Sequence, residues 1–78
     1  MLDAELVGKV IQKKREDRHL TQEVVSGFAD IGRAHLSAIE RGARRPTLDT
    51  FYKIAVALDM SPGALMTEIE NEIKKAEN

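Results

Sequence analysis

The sequence predicts an all-α domain of five helices, and three observations carry that expectation. Apolar residues recur at spacings of three and four in five segments of the 78-residue chain, and none alternates apolar with polar residues as a half-buried strand would. Thr21, Thr47 and the pair Ser61-Pro62, all good helix starters, stand immediately before three of those segments. No linker, repeat or low-complexity tract divides the chain, so residues 1–78 are expected to form one domain. At this length only about 60% of the unfolded surface is buried on folding. The stability margin is thin, and a second copy would widen it.

Leu6, Val7, Val10 and Ile11 share a helical face, with Asp3 and Glu5 before them and Lys13, Lys14, Arg15 and Arg18 after, as the helix dipole favours. The first helix is therefore expected over about residues 4–17. Leu20 precedes the N-cap Thr21 and can staple onto Val25, which starts a second helix over about residues 22–29. Gly27 weakens that helix by about 1 kcal/mol relative to alanine, unless its missing side chain permits close packing. A third helix over about residues 33–40 buries Leu36 and Ile39, and Gly42 is a left-handed stop. Ala43-Arg44-Arg45-Pro46 is a loop. Thr47 caps a fourth helix over about residues 48–58, carrying Leu48, Phe51, Tyr52, Ile54, Ala55 and Leu58. Ser61-Pro62 opens a fifth over about residues 62–75, lined by Leu65, Met66, Ile69, Ile73 and Ala76.

Composition narrows the function. Without cysteine there are no disulfides or thiolate metal sites, and His19 and His35 are too few and too distant for a metal-ligand spacing, so no cofactor is expected. The start Met1-Leu2-Asp3-Ala4-Glu5 lacks the pattern of a signal peptide, and no apolar run is long enough to span a bilayer. A cytoplasmic protein is expected. The net charge of −1 conceals an asymmetry, because residues 1–46 hold nine bases against seven acids and residues 47–78 hold three against six. A basic half attracts a polyanion, and an acidic half discourages the wrong orientation on it.

Within that basic half, Thr21 to Gly42 reads as two short helices joined by a tight turn and followed by a basic loop. A helix enters the major groove only when a second helix holds it out from the body at a fixed angle. This segment has the apolar spacing to do so. Around it lie the approach REDRHLTQ from Arg15, LTQE from Leu20 to Glu23, IGRAHLSAIERG from Ile31 to Gly42, RRPTLDT from Arg44 to Thr50 and KIAVALDMSP from Lys53 to Pro62. In this order and spacing they resemble the Cro/CI-type helix-turn-helix regulators, also called the Xre family, whose domains are lambda-repressor-like. The resemblance covers most of the chain. It departs from the family at His19, Asp30 and Asp59, where glycine often ends a helix, although Asp and His are among the residues enriched at positive φ. Ser26 stands for the usual alanine, and Lys14 for a common apolar residue, so the Lys14 stem is expected to cover core while its ammonium reaches water.

The resemblance implies that Gln22, at the first turn of the second helix, meets a DNA phosphate; a solvated helix start is the plainer alternative. Arg33 begins the recognition helix, and its fork matches the O6 and N7 acceptors of guanine, which makes it the expected base reader. Ala34 and Ala38, four apart, can touch thymine methyls or serve only as helix formers. His35 and Ser37 resemble the family's phosphate-contacting positions. Arg41, Arg44 and Arg45 follow with no acid between them and are expected to grip backbone, a solubilising cluster being the alternative. In the resembled fold Arg15 and Glu40 approach each other, which implies a structural salt bridge.

One reading helix touches few base pairs, so a homodimer on pseudo-palindromic half-sites of double-stranded DNA is expected. Met66, Ile69 and Ile73 are the expected dimer interface, with packing inside the monomer as the alternative. Together these readings describe a sequence-specific transcriptional regulator; restriction-modification controllers, antitoxins and compact repressors all fit its size. A helical protein-interaction module that keeps the fold without reading bases is the competing class. An enzyme is not expected, because His35 and Glu40 fall on different helix faces and no substrate cradle accompanies Ser37.

Overall fold

The computed structural model describes residues 2–77. Five helices occur: α1 Ala4–Asp17, α2 Gln22–Ala29, α3 Arg33–Glu40, α4 Leu48–Ala57 and α5 Pro62–Glu77, with no strand among the described residues. α4 ends a residue before the expected boundary, while α5 continues two residues past it.

Side chains start the helices where the sequence places them. The Asp3 carboxylate accepts from the amides of Glu5 and Leu6, Thr21 Oγ1 from Val24, Thr47 Oγ1 from Thr50 and Ser61 Oγ from Ala64. The first four helices share one way of stopping. His19, Asp30, Gly42 and Asp59 all take positive φ (57°, 55°, 78° and 58°). Beyond each, an amide reaches back to a carbonyl left open by the helix: Leu20 to Arg15, Ile31 to Ser26, Ala43 to Ala38 and Met60 to Ala55. Three of the four stops are made without glycine.

Val7, Val10 and Ile11 of α1, Val25 and Ala29 of α2, Leu36 and Ile39 of α3, Phe51, Ile54 and Ala55 of α4, Leu58 just beyond it, and Leu65 and Ile69 of α5 close one core. α2 lies against α3 and α4, α1 against α3 and α5, and α4 against α5. Ile69 is wholly inside this core, which corrects its expected place in a dimer interface: a small domain needs every fully apolar turn of α5 to cover α1 and α4. Met66 and Ile73 are half-buried and pack on the same core. Lys14 also differs from expectation. Its stem is largely covered, but its ammonium pairs with Glu68 of α5 and so clamps α1 to α5.

α1 crosses α3 closely enough to require a glycine. A Cβ on Gly8 would stand 2.3 Å from the Ile39 carbonyl oxygen and 2.5 Å from that of Glu40, backbone atoms that cannot step aside. Gly42 is constrained twice, by its φ and by a Cβ position 2.7 Å from the Glu5 Cα. Gly27 has open space around it, so no packing offsets its cost to α2.

Gly8→Ala is therefore expected to lose about 2 kcal/mol of stability to overpacking, and Gly27→Ala to gain about 0.5–1 kcal/mol, both read from urea unfolding midpoints. The Glu68 carboxyl is held below its ordinary pKa, first by the hydrogen bond from Lys14 and then by that residue's charge. A lowered folded pKa adds stability above the unfolded value, about 4.3 for glutamate, and loses it as pH falls through the folded value. Glu68→Gln should be less stable than the parent at pH 7, with the gap closing below about pH 4 in paired unfolding curves.

Candidate nucleic-acid interface

α3 is eight residues long, too short to hold its shape alone, so its burial decides which face it offers. Leu36, Ile39 and Glu40 are buried and anchor one side to the body. Successive residues turn by about 100°, which carries Ala34, Ser37 and Ala38 to the opposite side with Arg33 at one margin and His35 at the other. Arg33 and Ala34 are exposed, while His35, Ser37 and Ala38 are half-buried. The outward face of α3 is thus one arginine beside a nearly flat floor of small side chains. Backbone or base edges can approach that floor closely.

The arginines that follow divide into two kinds. Arg33, Arg41 and Arg44 are exposed and take part in no side-chain hydrogen bond or ion pair among the described residues. Arg45 instead donates from Nη1 to the Leu2 carbonyl, tying the loop to the chain's beginning and engaging part of its fork.

A buried polar cluster fixes α3 against α1 and the start of α2. Arg15 donates from Nε to Glu40 Oε2 at 2.8 Å and from Nη2 to Glu40 Oε1 at 3.0 Å, and its Nη1 donates to the Leu20 carbonyl at 2.8 Å. The two side chains are 11% and 2% exposed, so this forked pair works with little water. The hydrogen bond to Glu40 raises the Arg15 pKa above its ordinary value against the opposing effect of burial, and the guanidinium stays charged. Gln22 Nε2 donates to Glu40 Oε1 at 3.0 Å, a contact the sequence does not announce. One carboxylate therefore joins α1, the start of α2 and the end of α3.

Beside that cluster a polar groove is lined by Glu5, Lys9, Gln12, Gln22, Glu40 and Arg41. It brings Lys9 to the same side as Gln22 and Arg41, and sequence reasoning passed over this lysine. The available signal was Gly8: a glycine inside an otherwise regular helix marks a close crossing, and the next residue lies at its edge. Glu40 is fully engaged by Arg15 and Gln22, which removes it from any catalytic cluster with His35 and Ser37. No group of side chains among the described residues is arranged to hold a metal ion. No described helix is long and apolar enough to cross a membrane.

A family model described as helix-turn-helix matches residues 11–65. The chain is 40% identical over 62 residues to an HTH-type transcriptional regulator, y4dJ of Sinorhizobium fredii, covering 80% of each protein. It is 36% identical over 58 residues to the control protein C.BamHI of Bacillus amyloliquefaciens, covering 74% of this chain and 72% of that protein. Among solved structures, the wild-type restriction-modification controller protein C.Esp1396I superposes with a TM-score of 0.87 at 28% identity, over 96% of this chain and 97% of that one. The fold and these likenesses define a DNA-binding transcriptional regulator, not an enzyme. The chain belongs to the helix-turn-helix family of Cro/CI type, and its ligand is double-stranded DNA.

Removing one partner of a buried ion pair leaves an uncompensated charge behind, at a cost of about 3–5 kcal/mol. Glu40→Ala and Arg15→Ala are each expected to lose about that much, with strong coupling in a double-mutant cycle by chemical denaturation. Additive losses would show that the two side chains act separately.

Proposed function

We propose that the protein reads a specific operator as a homodimer, each subunit laying α3 into the major groove of one half of a pseudo-palindromic site. The two α3 helices then address half-sites separated by one turn of duplex, about 34 Å. The observation that carries this reading is Arg33: exposed, without a protein partner among the described residues, and placed at the start of a helix whose other side is locked into the core. Its fork suits guanine O6 and N7, while Ala34 and Ala38 lie where thymine methyls would rest. Specificity then depends on one arginine, methyl contacts and DNA shape.

Around this centre, Gln22, His35 and Ser37 contact phosphates on the flanks of the groove. Gln22 keeps its carboxamide oxygen and one N–H beyond the bond to Glu40, and Glu40 fixes its orientation. Arg41 and Arg44 grip the backbone beyond α3 and supply most of the salt-sensitive affinity, with Lys9 facing the same groove as Gln22. Arg45 contributes less, because its guanidinium is shared with Leu2. The likenesses to control proteins of restriction-modification systems support a cytoplasmic regulator of that kind.

Selection from a random duplex pool is expected to return two inverted half-sites with a guanine at a fixed place in each. Arg33→Ala should remove about 1–3 kcal/mol of preference at that guanine while leaving non-specific binding intact. Arg44→Ala should weaken all sequences alike and reduce the magnitude of the salt slope by about one per half-site in mobility-shift titrations. Recovery of no preferred sequence would refute the reading.

A further inference from the structure

α1 crosses the end of α3 at one point, and the residue just past that point is a cation on both segments. Gly8 lies against the carbonyls of Ile39 and Glu40, where a Cβ would come within 2.3 and 2.5 Å of their oxygens. Lys9 follows Gly8, and Arg41 follows Glu40. Beyond Arg41 the chain still runs beside α1, because the Cβ position of Gly42 is 2.7 Å from the Glu5 Cα. The crossing thus brings Glu5, Lys9 and Arg41 to one open groove of about 290 Å³, which Gln12, Gln22 and Glu40 complete.

The charges in this groove do not cancel. Lys9 and Arg41 are exposed and form no ion pair among the described residues. Glu40 brings no free charge, since Arg15 and Gln22 hold its carboxylate. Glu5 is exposed and is the one acid of the groove without a partner among the described residues. Two free cations against one free acid leave a single positive charge. That complements a phosphodiester, which carries one negative charge, better than a phosphomonoester, which carries nearly two. An ammonium, a guanidinium and a carboxamide N–H are all donors, as phosphate oxygens require.

We propose that the groove seats one phosphodiester of the DNA backbone between Lys9 and Arg41, together with Gln22, and so makes α1 a third DNA-contacting element beside α2 and α3. The inference rests on the operator-binding reading above and deepens it. Lys9 and Arg41 act on the same phosphate, whereas Arg44 grips a different one. Glu5 limits the seat, because its carboxylate opposes the phosphate that the two cations attract.

Mobility-shift salt titrations of the full chain test the seat, against a duplex of random sequence and against the operator returned by selection. Lys9→Ala should weaken binding to both several-fold and lower the magnitude of the salt slope by about one per subunit, while Lys9→Arg keeps the slope. Glu5→Gln should tighten both several-fold. Operators carrying a single uncharged methylphosphonate, moved along one half-site, then locate the phosphate. At one position Lys9→Ala and Arg41→Ala should each bind as the parent does, while Arg44→Ala still binds more weakly. Unchanged affinity and slope in Lys9→Ala overturn the seat even where operator preference is intact. Effects of Lys9 and Arg41 that vanish at different phosphates overturn it as well. If selection returns no preferred sequence, the operator reading falls, and the Lys9→Ala slope on the random duplex decides the α1 contact alone. A parent that binds neither duplex overturns both. Circular dichroism and urea midpoints near the parent's are expected because Lys9 and Glu5 are exposed; should alanine disturb α1, Lys9→Gln carries the same test.

Discussion

The forked ion pair between Arg15 and Glu40 is the constraint on which the placement of α3 depends. α3 has two fully buried apolar residues, Leu36 and Ile39, which hold it against the body. Glu40, at its last turn, is held by two parallel N–H donors from α1, and Arg15 in turn donates to the carbonyl just before α2 begins. The desolvation of two charges is offset here by bidentate geometry and by a full set of partners, and no buried side-chain polar atom is left without one among the described residues. What this arrangement supplies is register. A planar fork admits one relative placement of α1 and α3, and a groove-reading helix misplaced by an ångström loses its hydrogen bonds.

Gly8 serves the same end by absence. The carbonyls of Ile39 and Glu40 approach α1 so closely that only a hydrogen fits there, which brings the Arg15 fork, two turns further along α1, within reach of the Glu40 carboxylate. Close backbone approach at Gly8 and the buried charge pair thus act on the same contact between α1 and α3. The helix stops contribute in a different way. Each left-handed residue turns the chain sharply and closes an orphan carbonyl, so short helices can follow one another with only a few residues between them.

Attachment on one side leaves the other side of α3 chemically simple. Arg33 is its single strong donor, and the alanines offer shape and methyl contact. A surface of this kind derives its affinity from surrounding phosphates and its selectivity from few bases, which makes two-fold repetition valuable. The charge distribution agrees with that division: the bases of Arg33, Arg41 and Arg44 stand free beside α3, whereas Lys14 and Arg15 are spent inside the protein on Glu68 and Glu40.

Local chemistry by itself determined the five helices, their caps, the left-handed stops and the helix-turn-helix segment. Those features depend on neighbours a few residues away: Thr21 needs only Val24, and Asp30 only its own φ and the helix just ended. The family likeness of the motifs pointed in addition to Arg33 and to the Arg15–Glu40 pair. Tertiary structure decided the rest. Periodicity reveals that a helix has an apolar face but not which neighbour covers it, so Met66, Ile69 and Ile73 looked available although the core takes Ile69 entirely, and Leu48 and Tyr52, apolar residues of α4 like Phe51 and Ile54, face water. The Gln22–Glu40 bond, the Lys14–Glu68 clamp and the Arg45–Leu2 tether each join residues at least 18 positions apart. They exist because the chain closes on itself, and no spacing along the sequence encodes that closure.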